Sequence, residues 1–160
     1  MDGRKSIKAP DMERTEGRTE KGKDASGSDV VYCSKNKILL VDDERAIRRL
    51  FQLILKSGAP DCEVDLAADG AEALDSFRSV HHCLIIMDLH MPVMDGQTAF
   101  LEIQKLCEAE QWEEPSIVFC TGYAPPDMVK RVVSSNEKHC LLSKPISGEM
   151  LVDTVRSRLR

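Results

Sequence analysis

The sequence predicts a doubly wound α/β domain: five parallel strands, in the spatial order 2-1-3-4-5, with helices on both faces. Three observations predict it. From Asn36 onward, short apolar runs of strand length alternate five times with stretches of helical periodicity. Two of the runs, Ile38-Leu39-Leu40-Val41 and Leu84-Ile85-Ile86-Met87, are apolar at every position, as strands buried on both faces are. Both runs end directly in carboxylates, Asp42-Asp43-Glu44 and Asp88. Right-handed crossovers leave few topologies. In this strand order the two acidic ends become neighbours at the point where the order reverses, where open α/β sheets bind their ligands.

Each element has its own signal. The first strand spans Lys37–Val41. The first helix covers about Glu44–Lys56, with Ile47, Leu50, Phe51, Ile54 and Leu55 at helical spacing and Gly58 as a stop. The second strand is Glu63–Ala67. The second helix starts at Asp69, with Glu72 as capping-box partner, and reaches about Ser79. The third strand is Cys83–Asp88, closed by the turn residues Pro92 and Asp95-Gly96. The third helix covers about Gln97–Glu110, with an apolar face of Phe100, Leu101, Ile103 and Leu106. The fourth strand is Ser116–Cys120. Pro125-Pro126 suits the first turn of the fourth helix. The fifth strand is about His139–Leu142, and Ser147 caps a fifth helix that runs to about Leu159.

The remaining composition bounds the setting. Residues 1–35 are rich in Gly, Ser, Lys, Glu and Asp and are expected to be disordered, because they bury too little apolar surface to offset ordering entropy. The expected globular domain spans residues 36–160. A net charge of −5 argues against direct nucleic-acid binding. No run is long or apolar enough to cross a bilayer, and the charged N-terminus lacks a signal-peptide core, so a cytoplasmic location is expected. Six cysteines include no C-x-x-C pair; Cys120 and Cys140 read as small buried hydrophobes. His81-His82 reads as a surface loop at the strand end far from Asp88.

The chemistry gathers at one edge. Thr121 follows the fourth strand and Lys144-Pro145 the fifth, so carboxylates, a hydroxyl and an ammonium share the carboxyl ends of the strands. Clustered carboxylates repel unless protonated or bridged by a cation. Oxygen-only ligands suit Mg²⁺, which accepts phosphate as a further ligand. A carboxylate can also act as a nucleophile that becomes an aspartyl phosphate, with Lys144 pairing to the phosphoryl oxygens and Thr121 donating to another.

Val41-Asp42-Asp43, Met87-Asp88-Leu89-His90-Met91-Pro92-Val93-Met94-Asp95-Gly96, Thr121-Gly122 and Lys144-Pro145 together resemble the motifs of response-regulator receiver domains. The resemblance covers about Asn36 to Arg160 and implies a flavodoxin-like (βα)5 fold. It implies that Asp88 accepts a phosphoryl group from a histidine kinase or phosphotransfer protein. Asp42, Asp43, Asp88 and the His90 backbone carbonyl would hold Mg²⁺, with Asp43 the more direct of the first two. Thr121 and Lys144 would contact the phosphoryl group, and Gly122 would leave the donor room. It also implies a switch rather than a conventional enzyme. The fourth helix, fifth strand and fifth helix would form the face for a target protein or a homodimer.

Two departures matter. The family often carries an aromatic switch residue three positions before the lysine; here Leu141 stands there. His90 and Tyr123 occupy positions flanking the path of hydrolytic water and are expected to set the phosphoryl lifetime. Other readings fit less well. An aspartate-dependent phosphatase of the haloacid-dehalogenase type wants a second Asp where His90 stands. A flavodoxin-like cofactor binder wants a Gly/Ser/Thr-rich loop where Asp42-Asp43-Glu44 stands. A docking-only receiver does not need the intact acids, Thr121 and Lys144. No output domain follows the fifth helix, so a stand-alone regulator or a piece of a larger protein is expected.

Overall fold

The computed structural model describes residues 19–159. Twelve elements follow in order: β1 Lys21–Lys23, β2 Asp29–Val31, β3 Ser34–Val41, α1 Arg45–Gly58, β4 Glu63–Ala67, α2 Gly70–Val80, β5 His82–Asp88, α3 Gly96–Glu110, β6 Ser116–Thr121, α4 Asp127–Ser135, β7 Cys140–Ser143 and α5 Gly148–Arg158. The main sheet has the order β4-β3-β5-β6-β7 with every pair parallel. Counted from β3, this is the expected 2-1-3-4-5 order.

Strand side chains alternate between two cores, as a period of two requires. Leu39, Val41, Ile85, Met87, Ile117 and Phe119 pack under α2, α3 and α4, against Phe77, Phe100, Ile103 and Val129. Ile38, Leu40, Leu84, Ile86, Val118 and Cys120 pack under α1 and α5, against Phe51, Leu55, Leu151 and Val155. Both faces are covered, which is why β3 and β5 read as unbroken apolar runs.

The caps follow the local chemistry. Asp69 accepts from the Glu72 amide, Asp95 from Thr98 and Ser147 from Met150. The Glu72 carboxylate reaches back to the Ala68 amide, one residue beyond the usual capping box. Helix α1 runs through Gly58 and stops at Ala59, whose amide still donates to Leu55. Leu50 and Leu101 sit in the expected apolar stripes, yet both are substantially exposed. Each stripe is wider than the contact the helix makes with the sheet. Cys140 is only half-buried, on the edge strand, whereas Cys120 is buried.

Two expectations are corrected. Residues 1–18 of the expected disordered tail lie outside the described residues, but residues 19–35 are ordered. β1 and β2 form an antiparallel ribbon. Its turn is closed by the Asp24 carboxylate, which accepts from the Ser26 and Ser28 amides, with Gly27 at φ 84°. Val31 donates to the Gln111 carbonyl and accepts from the Glu113 amide. Local side-chain bonds and backbone pairing order this segment without a large apolar face. The second correction concerns His81 and His82, which are buried rather than on a surface loop. His81 stacks on Trp112 and meets the Glu113 carbonyl; the His82 ring meets the Asp65 carboxylate at 2.8 Å.

Candidate acidic site at the switch point

Strands β3 and β5 are neighbours in the sheet, so Asp42, Asp43 and Asp88 emerge side by side. One carboxylate oxygen from each lies within 4.8 Å of the others. Asp42 and Asp88 are 3 % and 6 % exposed, while Asp43 stands at the open rim.

Lysine 144 enters from the end of β7. Its ammonium lies 2.9 Å from Asp42 Oδ2 and 3.5 Å from Asp88 Oδ2. Burial opposes the lysine's charge, but the hydrogen bond to Asp42 and the charges of both aspartates outweigh it and hold its pKa above the usual lysine value. Burial raises the Asp88 pKa; Lys144 opposes that rise, and Asp42 adds to it. The Lys144–Pro145 peptide is cis.

The rest of the shell orients these groups. Asp42 Oδ1 accepts from the Glu44 amide at 2.9 Å, so both Asp42 oxygens have protein partners. Asp88 Oδ1 accepts from the His90 amide at 3.3 Å. The Thr121 hydroxyl is engaged with its own loop: it donates to the Tyr123 carbonyl and accepts from the Tyr123 amide. The structure thus brings together Asp42, Asp43, Asp88 and Lys144, and turns the buried Thr121 hydroxyl toward the β6–α4 loop. His90 and Tyr123 pack edge to face at 4.9 Å above this loop. Leu141 packs into the core under α4. Nothing lies within 4 Å of a side chain added at Gly122, which keeps the approach open.

Two contributors have no clear sequence signal. Arg48, on the first turn of α1, donates to the Asp42 carbonyl at 2.7 Å. Gly96 lies against the Asp88 carbonyl, where an added methyl would collide with backbone. Asp95-Gly96 reads from the sequence as only a turn and helix start.

Fold and site define a doubly wound domain with an acidic, lysine-bridged centre at its switch point. The family model of the response regulator receiver domain matches residues 38–156. The chain is 33% identical over 126 residues to the probable transcriptional regulator ycf27 of Porphyridium aerugineum, covering 79% of this chain and 49% of that protein. It is 26% identical to the chemotaxis protein CheY of Bacillus subtilis, covering 78% of this chain and 98% of that one. The structure of the chemotaxis protein CheY4 of Vibrio cholerae superposes with a TM-score of 0.62 at 29% identity, covering 77% and 98%. The chain belongs to the response-regulator receiver domain family. Phosphorylation-based signalling is the function of that family, whose receivers are switch domains working with histidine kinases and downstream effectors. The chain spans about half the length of the ycf27 relative. No helix among the described residues is long and apolar enough to cross a membrane.

Proposed function

We propose that Asp88 is the phosphoacceptor, in a magnesium-dependent reaction with a histidine kinase or phosphotransfer protein as donor. The observation that carries this reading is the Lys144 ammonium set between Asp42 and Asp88, beside three carboxylates that converge within 4.8 Å. The donor set is all oxygen, which suits Mg²⁺ and disfavours softer ions. Asp43, Asp88 and the His90 carbonyl would hold the ion directly, with Asp42 close behind. When bound, the ion offsets carboxylate repulsion and the charge on the phosphoryl oxygens.

The chain's own residues supply the rest. An Asp88 oxygen attacks phosphorus, an O–P bond forms, and the donor's P–N bond breaks with its electron pair leaving on the imidazole. Lys144 exchanges its contact with Asp88 for the transferred phosphoryl oxygens, a charge-assisted pairing. Thr121 turns from Tyr123 toward a phosphoryl oxygen, and the loop before α4 moves with it. With Leu141 in place of an aromatic switch, this loop movement carries the signal to the face of α4, β7 and α5, where a target protein or a second copy docks. We place its work in the cytoplasm, without direct nucleic-acid or membrane binding.

The test is intact mass after incubation with Mg²⁺ and acetyl phosphate. Wild type gains one phosphoryl group and Asp88→Asn gains none. A gain of equal size in the variant would move the acceptor elsewhere.

A further inference from the structure

A second reactive cluster lies at the amino ends of the strands, opposite Asp88. β3 pairs with β5 at Ser34 opposite His82, and the register then shifts before resuming at Ile38 opposite Leu84. Asn36, at φ 61°, turns the chain within this irregularity. Cys83 faces the irregular segment, and its thiol donates to the Lys37 carbonyl at 3.2 Å. Cys33 stands just before Ser34. Its sulfur lies 3.4 Å from the Glu113 carboxylate, on the side of β3 that borders Cys83. Both cysteines are half-buried and open onto one cavity of about 250 Å³, whose wall includes Lys138 and Arg158. Cys107 and Cys120 are fully buried.

We propose that Cys33 and Cys83 form a redox modification site, at which a hydroperoxide converts the two thiols to a disulfide that fastens the β1–β2 ribbon to the main sheet. Cys33 is where the chain leaves the ribbon and enters β3, so the bond closes a covalent link at that junction. Cys83 is the thiol that ionises first. The neighbouring Cys33 thiol and backbone groups hold it below the ordinary thiol pKa, while Cys83, burial and Glu113 hold Cys33 above it. The Cys83 thiolate attacks the peroxide oxygen, giving a sulfenic acid and, after protonation, an alcohol or water. The Cys33 sulfur then attacks the Cys83 sulfur, its proton leaves with the hydroxyl as water, and the S–S bond forms. Two thiols and one peroxide thus give one disulfide, one water and one alcohol or second water. The link lies at the opposite sheet end from Asp88, so phosphoryl uptake is an independent readout.

The experiment treats the reduced full chain with hydrogen peroxide under native conditions, blocks free thiols and maps tryptic peptides by mass. The expected product is about 2 Da lighter than the reduced chain. It holds one cross-link, joining the peptides of Cys33 and Cys83, and dithiothreitol reverses it. Amide exchange across Val30–Ser34 slows on oxidation, while acetyl-phosphate labelling is unchanged. Cys33→Ser keeps a donor to Glu113 and loses the cross-link. Should that variant misfold, the wild-type peptide map alone decides. Both thiols remaining free to alkylate, or Cys83 pairing with neighbouring Cys62, overturns the proposal.

Discussion

The Lys144 ammonium sits closer to Asp42, at 2.9 Å, than to Asp88, at 3.5 Å. Its charge is therefore anchored on the carboxylate that already accepts the Glu44 amide, while Asp88 keeps the weaker share. Asp88, though nearly buried, is thus compensated more loosely than Asp42.

Removing the lysine should expose this balance. Lys144→Ala leaves two nearly buried carboxylates without their cation. Removing one partner of a buried pair costs 3–5 kcal/mol, and the lysine's partial exposure lowers the expectation to about 2 kcal/mol. Urea unfolding in a chelator reads this loss directly. Mg²⁺ should recover most of it, and an equal loss with and without Mg²⁺ would argue that the lysine acts by packing alone.

The acidic cluster should also respond to metal in the intact protein. A ligand that binds only the folded state at a hundred times its Kd stabilises by about 2.7 kcal/mol. A melting curve that rises with Mg²⁺ in wild type, and much less in Asp43→Ala, is expected. Asp43 is the exposed member of the three, so its loss should disturb folding little. A shift of equal size in the variant would remove Asp43 from the ligand set.

Gly96 bears on the site through backbone contact. A methyl there collides with the Asp88 carbonyl, so Gly96→Ala must displace the chain that carries Asp88. Overpacking of this kind costs about 1–3 kcal/mol. Denaturant unfolding should show that loss, and acetyl-phosphate labelling should slow more than in Gly122→Ala, whose surroundings are open.

Acid should weaken the far end of the sheet. Burial lowers the pKa of His81, His82 and His139, the last to about 4 from 6.5. A histidine held neutral in the fold binds its proton more readily when unfolded. Its contribution is therefore whole above pH 6.5 and declines as pH falls toward the folded value. For His139 this amounts to about 2 kcal/mol by pH 5, from the linkage of pKa to stability. Urea midpoints at pH 7.5 and 5 measure it. His139→Phe should flatten the profile, and an unchanged slope would assign the acid sensitivity to other groups.

His90 and Tyr123, from the loops after β5 and β6, meet edge to face. Replacing both with alanine should change the rate of phosphoryl loss several-fold while leaving the labelled residue the same. Timing the decay of phosphorylated protein after donor removal checks this; an unchanged lifetime assigns the pair to loop packing only.

Much of this was legible in the chain. The apolar runs ending in Asp42-Asp43 and Asp88 state both strand burial and site position, because only a parallel sheet covered on both faces tolerates them. The caps Asp69 and Ser147 were legible because capping is local. Arg48, Gly96 and the buried His81-His82 were not. Their partners lie outside the neighbouring turn, and no short-range pattern encodes them. The β1–β2 ribbon escaped composition for the same reason: its docking bonds go to Gln111 and Glu113.

Strand and helix order, the switch point and the identity of the acids are readable from the chain alone, because periodicity and chain direction suffice for these. Tertiary packing alone set which carboxylate holds Lys144 and that Cys33 and Cys83 open onto one cavity. Those relations join segments far apart in the chain, and strand register together with side-chain direction in the packed sheet sets their distances.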